Sequence, residues 1–179
     1  YGLDWEAFER CLQDTPAGNN GNLMLPYFVP EITPLVLTAE PQYRGSDRFA
    51  DGRDAAAAVR AVVEAQAMRL RLHSEWIERV PDTLRVTGGA AANTAICQVL
   101  ADVFDATVKR LETGNSAALG AAMRAANAHA GTPWRELTER FCQPVAGMDV
   151  EPIPAHREVY GNLLTDYEAF ADAYGTDAE

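Results

Sequence analysis

The chain has 179 residues, 47% of them hydrophobic, enough to bury one core or to supply one part of a larger domain. Its formal net charge is −11 and Lys109 is its single lysine, so no basic stripe can neutralise a phosphate backbone or an anionic bilayer surface, which excludes nucleic acid and membrane as partners. No apolar run approaches the ~18–20 residues that span a bilayer and nothing resembles a signal peptide, which predicts a soluble, cytoplasmic protein.

The opening, YGLDWEAFERCLQDTP, reads as the middle of a helix-and-loop passage, so further sequence is expected upstream of Tyr1. Residues 4 to 13 place Trp5, Phe8 and Leu12 on one side of a short amphipathic helix, and the turn-rich TPAGNNGN follows. Next comes LMLPYFVPEITP, apolar but interrupted by Pro26, Pro30 and Pro34. Prolines remove backbone donors and forbid a central strand, so the segment is expected to be extended, irregular and packed. Residues 40 to 53 are polar, hold two glycines and a proline, and predict a surface loop.

From Asp54 to about Arg79, Val59, Val62, Val63, Ala67, Leu70 and Ile77 recur at three- and four-residue intervals, with Arg60, Glu64, Arg71 and Glu78 on the other side. This predicts a long helix of roughly 39 Å, capped by Asp54 and stopped by Pro81. His73 lies near its apolar edge with no second titratable group beside it, so packing or partial exposure is expected. Cys11, Cys97 and Cys142 are odd in number and scattered. They support no metal cluster, and Cys97 reads as a buried free thiol.

Residues 84 to 87 alternate as in a strand, Gly88-Gly89 follows at its end, and from about Ala91 the positions Ile96, Val99, Leu100, Val103 and Phe104 restore the helical period. Asp105 ends that pattern before TVKRL forms a second strand. A crossover helix of this length makes the two strands parallel, and in open α/β sheets ligands settle beyond the carboxyl ends of the strands. Gly88 and Gly89 sit at such an end. Bare glycines let backbone approach a ligand and the next helix offers unpaired N–H groups, a combination that suits a nucleotide. Taken alone, the dipeptide reads first as a tight strand-to-helix turn, because glycine commonly punctuates such connections.

Asn115 or Ser116 can cap the following Ala/Gly-rich helix and Gly131 can end it. Gly120 costs about 1 kcal/mol inside a helix, so another backbone or a ligand is expected against that face, close helix packing being the ordinary reading. His129 is a favourable group at the helix's negative end. Residues 133 to 141 predict a short helix and QPVAGMDVEPIP a linker. Residues 156 to 174 place Tyr160, Leu163, Leu164, Tyr167, Phe170 and Tyr174 on one packing face. His156 starts that helix, where a positive charge is unfavourable, and is not an obvious acid or base.

The stretch LRVTGGAAANTAICQVLADVFDATVKRLETGNSAALGAAMRAA resembles the C-terminal part of the FGGY carbohydrate kinases: strand, Thr-Gly-Gly-Ala, Asn, Gln-x-x-Ala-Asp-Val, Ala-Leu-Gly-Ala-Ala. MLPYFVPEITP, VRAVVEAQAMRLRLHSEW and NSAALGAAMRA are most similar to the xylulokinase branch found also in animals and plants, and the likeness covers residues 19 to 175. The resemblance implies an α/β fold, the later part of an actin-like, ribonuclease-H-like ATPase domain with parallel strands and long flanking helices. It implies that residues 1 to 179 are the C-terminal portion of the second of two kinase domains, which close over ATP and a sugar. By the same resemblance Gly88, Gly89 and Ala90 bring backbone against the adenosine, and Asn93 offers its amide to the adenine edge.

The family's catalytic aspartate, its phosphate-holding hairpin and most sugar contacts belong to sequence before LPYF and are absent here. The resemblance therefore implies a kinase fragment, inactive alone, whose magnesium site and D-xylulose pocket lie mainly elsewhere, and whose sheet is completed by the rest of the kinase or by another chain. A noncatalytic module of kinase-like architecture, or a kinase for glycerol, ribulose or gluconate, are the alternatives.

Overall fold

A computed structural model describes residues 1 to 32, 35 to 111 and 115 to 176, with side chains as far as residue 174. Pro34 and the 112 to 114 approach to the glycine-bearing helix, both used in the sequence reading, lie outside the described residues.

Helix α1, Trp5–Asp14, starts where Asp4 accepts a hydrogen bond from the Ala7 N–H at 2.8 Å. Strand β1, Leu23–Leu25, is buried throughout and pairs antiparallel with β2, Gln42–Arg44. These strands correct two expectations. The LMLPYF segment does hold a strand, which ends at Pro26, where a backbone donor is lost. The predicted 40 to 53 loop contains β2 and a one-turn helix α2, Asp47–Ala50, because Phe49 is drawn fully out of solvent.

Helix α3, Ala55–His73, is capped as predicted, with Asp54 Oδ1 accepting from the Ala57 N–H at 3.0 Å. It is shorter than expected. A separate 3₁₀ turn, Glu75–Ile77, follows, and Leu70 and Ile77 stay exposed instead of joining the core. The larger correction concerns Arg60 and Glu64, which the spacing puts on the side opposite the apolar residues and which are only 8% and 1% exposed. Helix α3 is enclosed: α1, β1, α2 and two later helices all pack on it. Small residues at Ala57, Ala58, Ala61 and Ala65 allow that close approach.

Buried charge persists only when it is paired and hydrogen-bonded. Arg60 Nε donates to Glu64 Oε1 at 2.7 Å, Nη1 donates to the Leu12 carbonyl at 3.0 Å, and Nη2 donates to the Tyr160 hydroxyl at 2.7 Å. Glu64 Oε1 also accepts from Tyr160 Oη at 2.8 Å and from the Gly18 N–H at 2.9 Å. Burial, the largest influence, holds the Glu64 carboxyl above its usual range against the opposing pull of Arg60.

The predicted strand–turn–helix–strand unit is present. Strand β3, Thr83–Val86, and strand β4, Thr107–Arg110, are parallel with Thr83 opposite Thr107, and α4, Thr94–Phe104, crosses between them. Asp105 closes α4 in the left-handed conformation. Cys97, Ala101, Val108 and Val150, with Leu84 and Val86, fill the space between α4 and the strands. The proline-bearing linker runs beside β4, where the Val108 and Val150 backbones exchange hydrogen bonds of 2.9 Å and Leu111 bridges to Pro144.

Helix α5, Ser116–Ala130, is capped by Asn115 and ended by Gly131 at φ 69°, and it packs against α6, Trp134–Phe141, with Met123 and Leu137 the buried residues of the two helices. The close neighbour expected at Gly120 is not found among the described residues: a Cβ there would meet nothing within 4 Å. Helix α7, Arg157–Thr176, buries Tyr160, Leu163 and Tyr167 against α3 and α4, as its periodicity predicts. No helix among the described residues is long and apolar enough to cross a membrane.

Candidate functional site

The site builds from the end of β3. The chain leaves Val86 and bends at Gly88, whose φ of 90° and ψ of −178° are strained for any residue with a Cβ. A single 3₁₀ turn, Gly89–Ala92, follows, with the Ala91 N–H bonded to the Gly88 carbonyl at 3.2 Å. Gly88, Gly89 and Ala90 are all exposed, and a Cβ placed on either glycine would point into open space. The corner is therefore bare main chain facing outward at the carboxyl end of a parallel strand.

Asn93 closes the corner and caps α4. Its Oδ1 accepts from the Ile96 N–H at 3.0 Å and its carbonyl accepts from the Cys97 N–H at 3.1 Å. The residue is 4% exposed, and its amide Nδ2 is buried with no partner. Since Oδ1 is committed to the cap, donation by Nδ2 is what remains for a ligand. Among the described residues Nδ2 is thus a buried donor left over for an acceptor. The structure thus places all the predicted residues, Gly88, Gly89, Ala90 and Asn93, on one continuous corner.

Groups missed by sequence reading surround it. Arg110 ends β4 and reaches back to α4: Nη1 donates to Thr94 Oγ1 at 3.3 Å and Nε donates to the Met148 carbonyl at 3.0 Å. Strand alternation with Val108 was the signal that could have placed it on the α4 face. Burial pushes the Cys97 thiol up, opposed by the Arg110 charge, so Cys97 is the inert buried thiol its position suggested.

Farther along α4, the Asp102 carboxylate accepts from Gln98 Nε2 at 2.9 Å and from the Ile153 N–H at 2.8 Å, and it lies 2.8 Å from His156 Nδ1. His156 is thereby partnered at the start of α7, which its sequence position did not reveal. A cleft of about 410 Å³ connects this pair with Thr94, Gln98 and Arg60. His73 and His129 are exposed. Among the described residues no group of three or more His, Cys, Asp and Glu is placed to hold a metal ion.

Residues 3 to 129 match the C-terminal domain of the FGGY family of carbohydrate kinases. The chain belongs to that family. Over 175 residues it is 38% identical to the xylulose kinase of Rattus norvegicus, covering 91% of this chain and 31% of that protein. Against the Mus musculus xylulose kinase the identity is 37% over 177 residues, covering 92% and 30%. Among solved structures, the Rhodospirillum rubrum xylulose kinase superposes with a TM-score of 0.72 at 25% identity, over 93% of this chain and 33% of that one. The Lactobacillus acidophilus gluconate kinase superposes with a TM-score of 0.80 at 23% identity, over 97% and 35%, a likeness of fold alone. This FGGY chain thus has the α/β, actin-like architecture of the sugar kinases, and it spans about a third of the length of these relatives.

Proposed function

We propose that this FGGY chain is the adenosine-binding, C-terminal portion of the second domain of a cytoplasmic kinase that transfers the γ-phosphoryl group of ATP to D-xylulose, giving D-xylulose 5-phosphate. The observation that carries the reading is the outward-facing corner at Gly88 and Gly89, closed by an asparagine amide that lacks an acceptor. The sugar comes from the names of the relatives, since no residue described above reads a sugar.

In this reading the main chain of Gly88, Gly89 and Ala90 lies against the adenosine, and Asn93 Nδ2 donates to the adenine edge while Oδ1 holds the first turn of α4 in place. The nucleotide supplies the phosphoryl group when bound. This chain binds and orients its nucleoside end, and orientation is a large part of phosphoryl-transfer catalysis. The aspartate base, the phosphate hairpin, the magnesium site and most sugar contacts belong to the remainder of the kinase.

Gly89→Ala in the complete kinase tests the reading cleanly. Among the described residues the added Cβ meets no atom within 4 Å, and Gly89 is not in the left-handed region, so the melting temperature should hold. The KM for ATP should rise about tenfold, equivalent to ~1.4 kcal/mol of lost nucleotide binding, with the KM for D-xylulose unchanged. An unaltered KM for ATP, or a rise confined to the sugar, would remove the nucleotide from this corner.

A further inference from the structure

A guanidinium stands beside the glycine corner that neither the strand nor the helix needs for its own formation. Arg110 is the last residue of β4 and shares with Val108 the face that α4 covers. Its bonds to the Met148 carbonyl and to Thr94 Oγ1 fix the head group against the first turn of α4. These two bonds use Nε and Nη1, and among the described residues no carboxylate is paired with Arg110.

The arrangement is electrostatically one-sided. A helix N-terminus carries the equivalent of about +0.5 charge, and Arg110 adds a full positive charge next to it, although the chain as a whole is at −11. Asn93 supplies an independent sign that something is to be received there, because its buried Nδ2 is a donor without an acceptor at the cap itself. Guanidinium, amide and first-turn N–H groups are all donors. A partner for them is rich in acceptors, and next to an arginine it is anionic. The open side of Gly88 and Gly89 leaves its approach clear.

We infer that Arg110 binds a phosphoryl oxygen of the nucleotide seated at this corner, adding charge recognition to a surface otherwise made of main chain and amide. The inference rests on the adenosine reading above: Asn93 and the glycines take the nucleoside, and Arg110 distinguishes a nucleotide from it.

The test uses the complete kinase and calorimetric titration with ADP and with adenosine. Arg110→Gln should weaken ADP about tenfold and leave adenosine unchanged. Arg110→Lys should fall between, since an ammonium keeps the charge without both anchoring bonds. If Arg110→Gln does not fold, the lysine variant carries the comparison. Equal weakening of ADP and adenosine would show that Arg110 merely holds the corner in shape, and unchanged ADP affinity would show that it touches no phosphate. Either result overturns the inference. The nucleotide reading fails separately, by Gly89→Ala leaving both ligands unaffected in the wild-type Arg110 background.

Discussion

Tyr160 and Tyr167 come from one face of α7, both are about 1% exposed, and burial raises both phenol pKa values well above 10. Their hydroxyls differ. Tyr160 Oη donates to Glu64 and accepts from Arg60, whereas Tyr167 Oη is buried without a partner. Replacing Tyr160 by Phe leaves a buried carboxylate and guanidinium short of a bond, and urea unfolding should show a loss of about 1–3 kcal/mol. Tyr167→Phe removes an unpaired hydroxyl and should be neutral or stabilising in the same assay. The folded-state pKa values are raised, so the folded protein keeps protons that unfolded tyrosines release from about pH 10 upward. Their contribution is complete below that pH and declines as pH rises through it. Tyr160→Phe should make that alkaline decline shallower, as read by unfolding midpoints across the alkaline range.

At the scale of elements, the period of the apolar residues and the capping residues carried most of the information. Asp54, Asn93 and Asn115 each sit one residue before a helix and bond to its first turn, and Asp54→Ala should cost about 1 kcal/mol in thermal unfolding, with Asp54→Asn nearly neutral. The same period failed at Arg60 and Glu64. A charged residue at a helical position reads as solvent-facing unless its partners are known, and here those partners are Tyr160, Gly18 and the Leu12 carbonyl, distant in sequence. Strands β1 and β2 were illegible for a similar reason. Each is three residues long, too short for an alternation to register, and each exists because the other lies beside it. The glycine corner was legible because a turn between strand and helix is a local event. Arg110 was not, because its role depends on β4 lying parallel to β3 with α4 over both.

At the scale of the whole molecule, the chain holds a two-stranded parallel sheet and about a third of the length of its relatives. Large apolar side chains such as Ile32, Leu37 and Trp76 are more than 70% exposed. Phosphoryl transfer requires a base, a clamp on the phosphates and a sugar held in line, and nucleotide contacts alone do not assemble that geometry. The 179-residue chain by itself is therefore expected to show no D-xylulose-dependent release of ADP from ATP in a coupled assay. Turnover above the sugar-free background would contradict the division of labour proposed here.

What the sequence alone determined was local: where helices begin, where the backbone must do without a side chain, and which family pattern the glycines belong to. The first two follow from short-range sterics and from hydrogen bonds spanning three or four residues, the third from the resemblance alone. The tertiary structure decided which charges are buried, what His156 and Arg110 reach, and that the Asn93 amide is left as a lone donor. Those depend on groups 16 to 100 residues apart, brought together by burial of the apolar faces of α3, α4 and α7. No local pattern encodes that proximity.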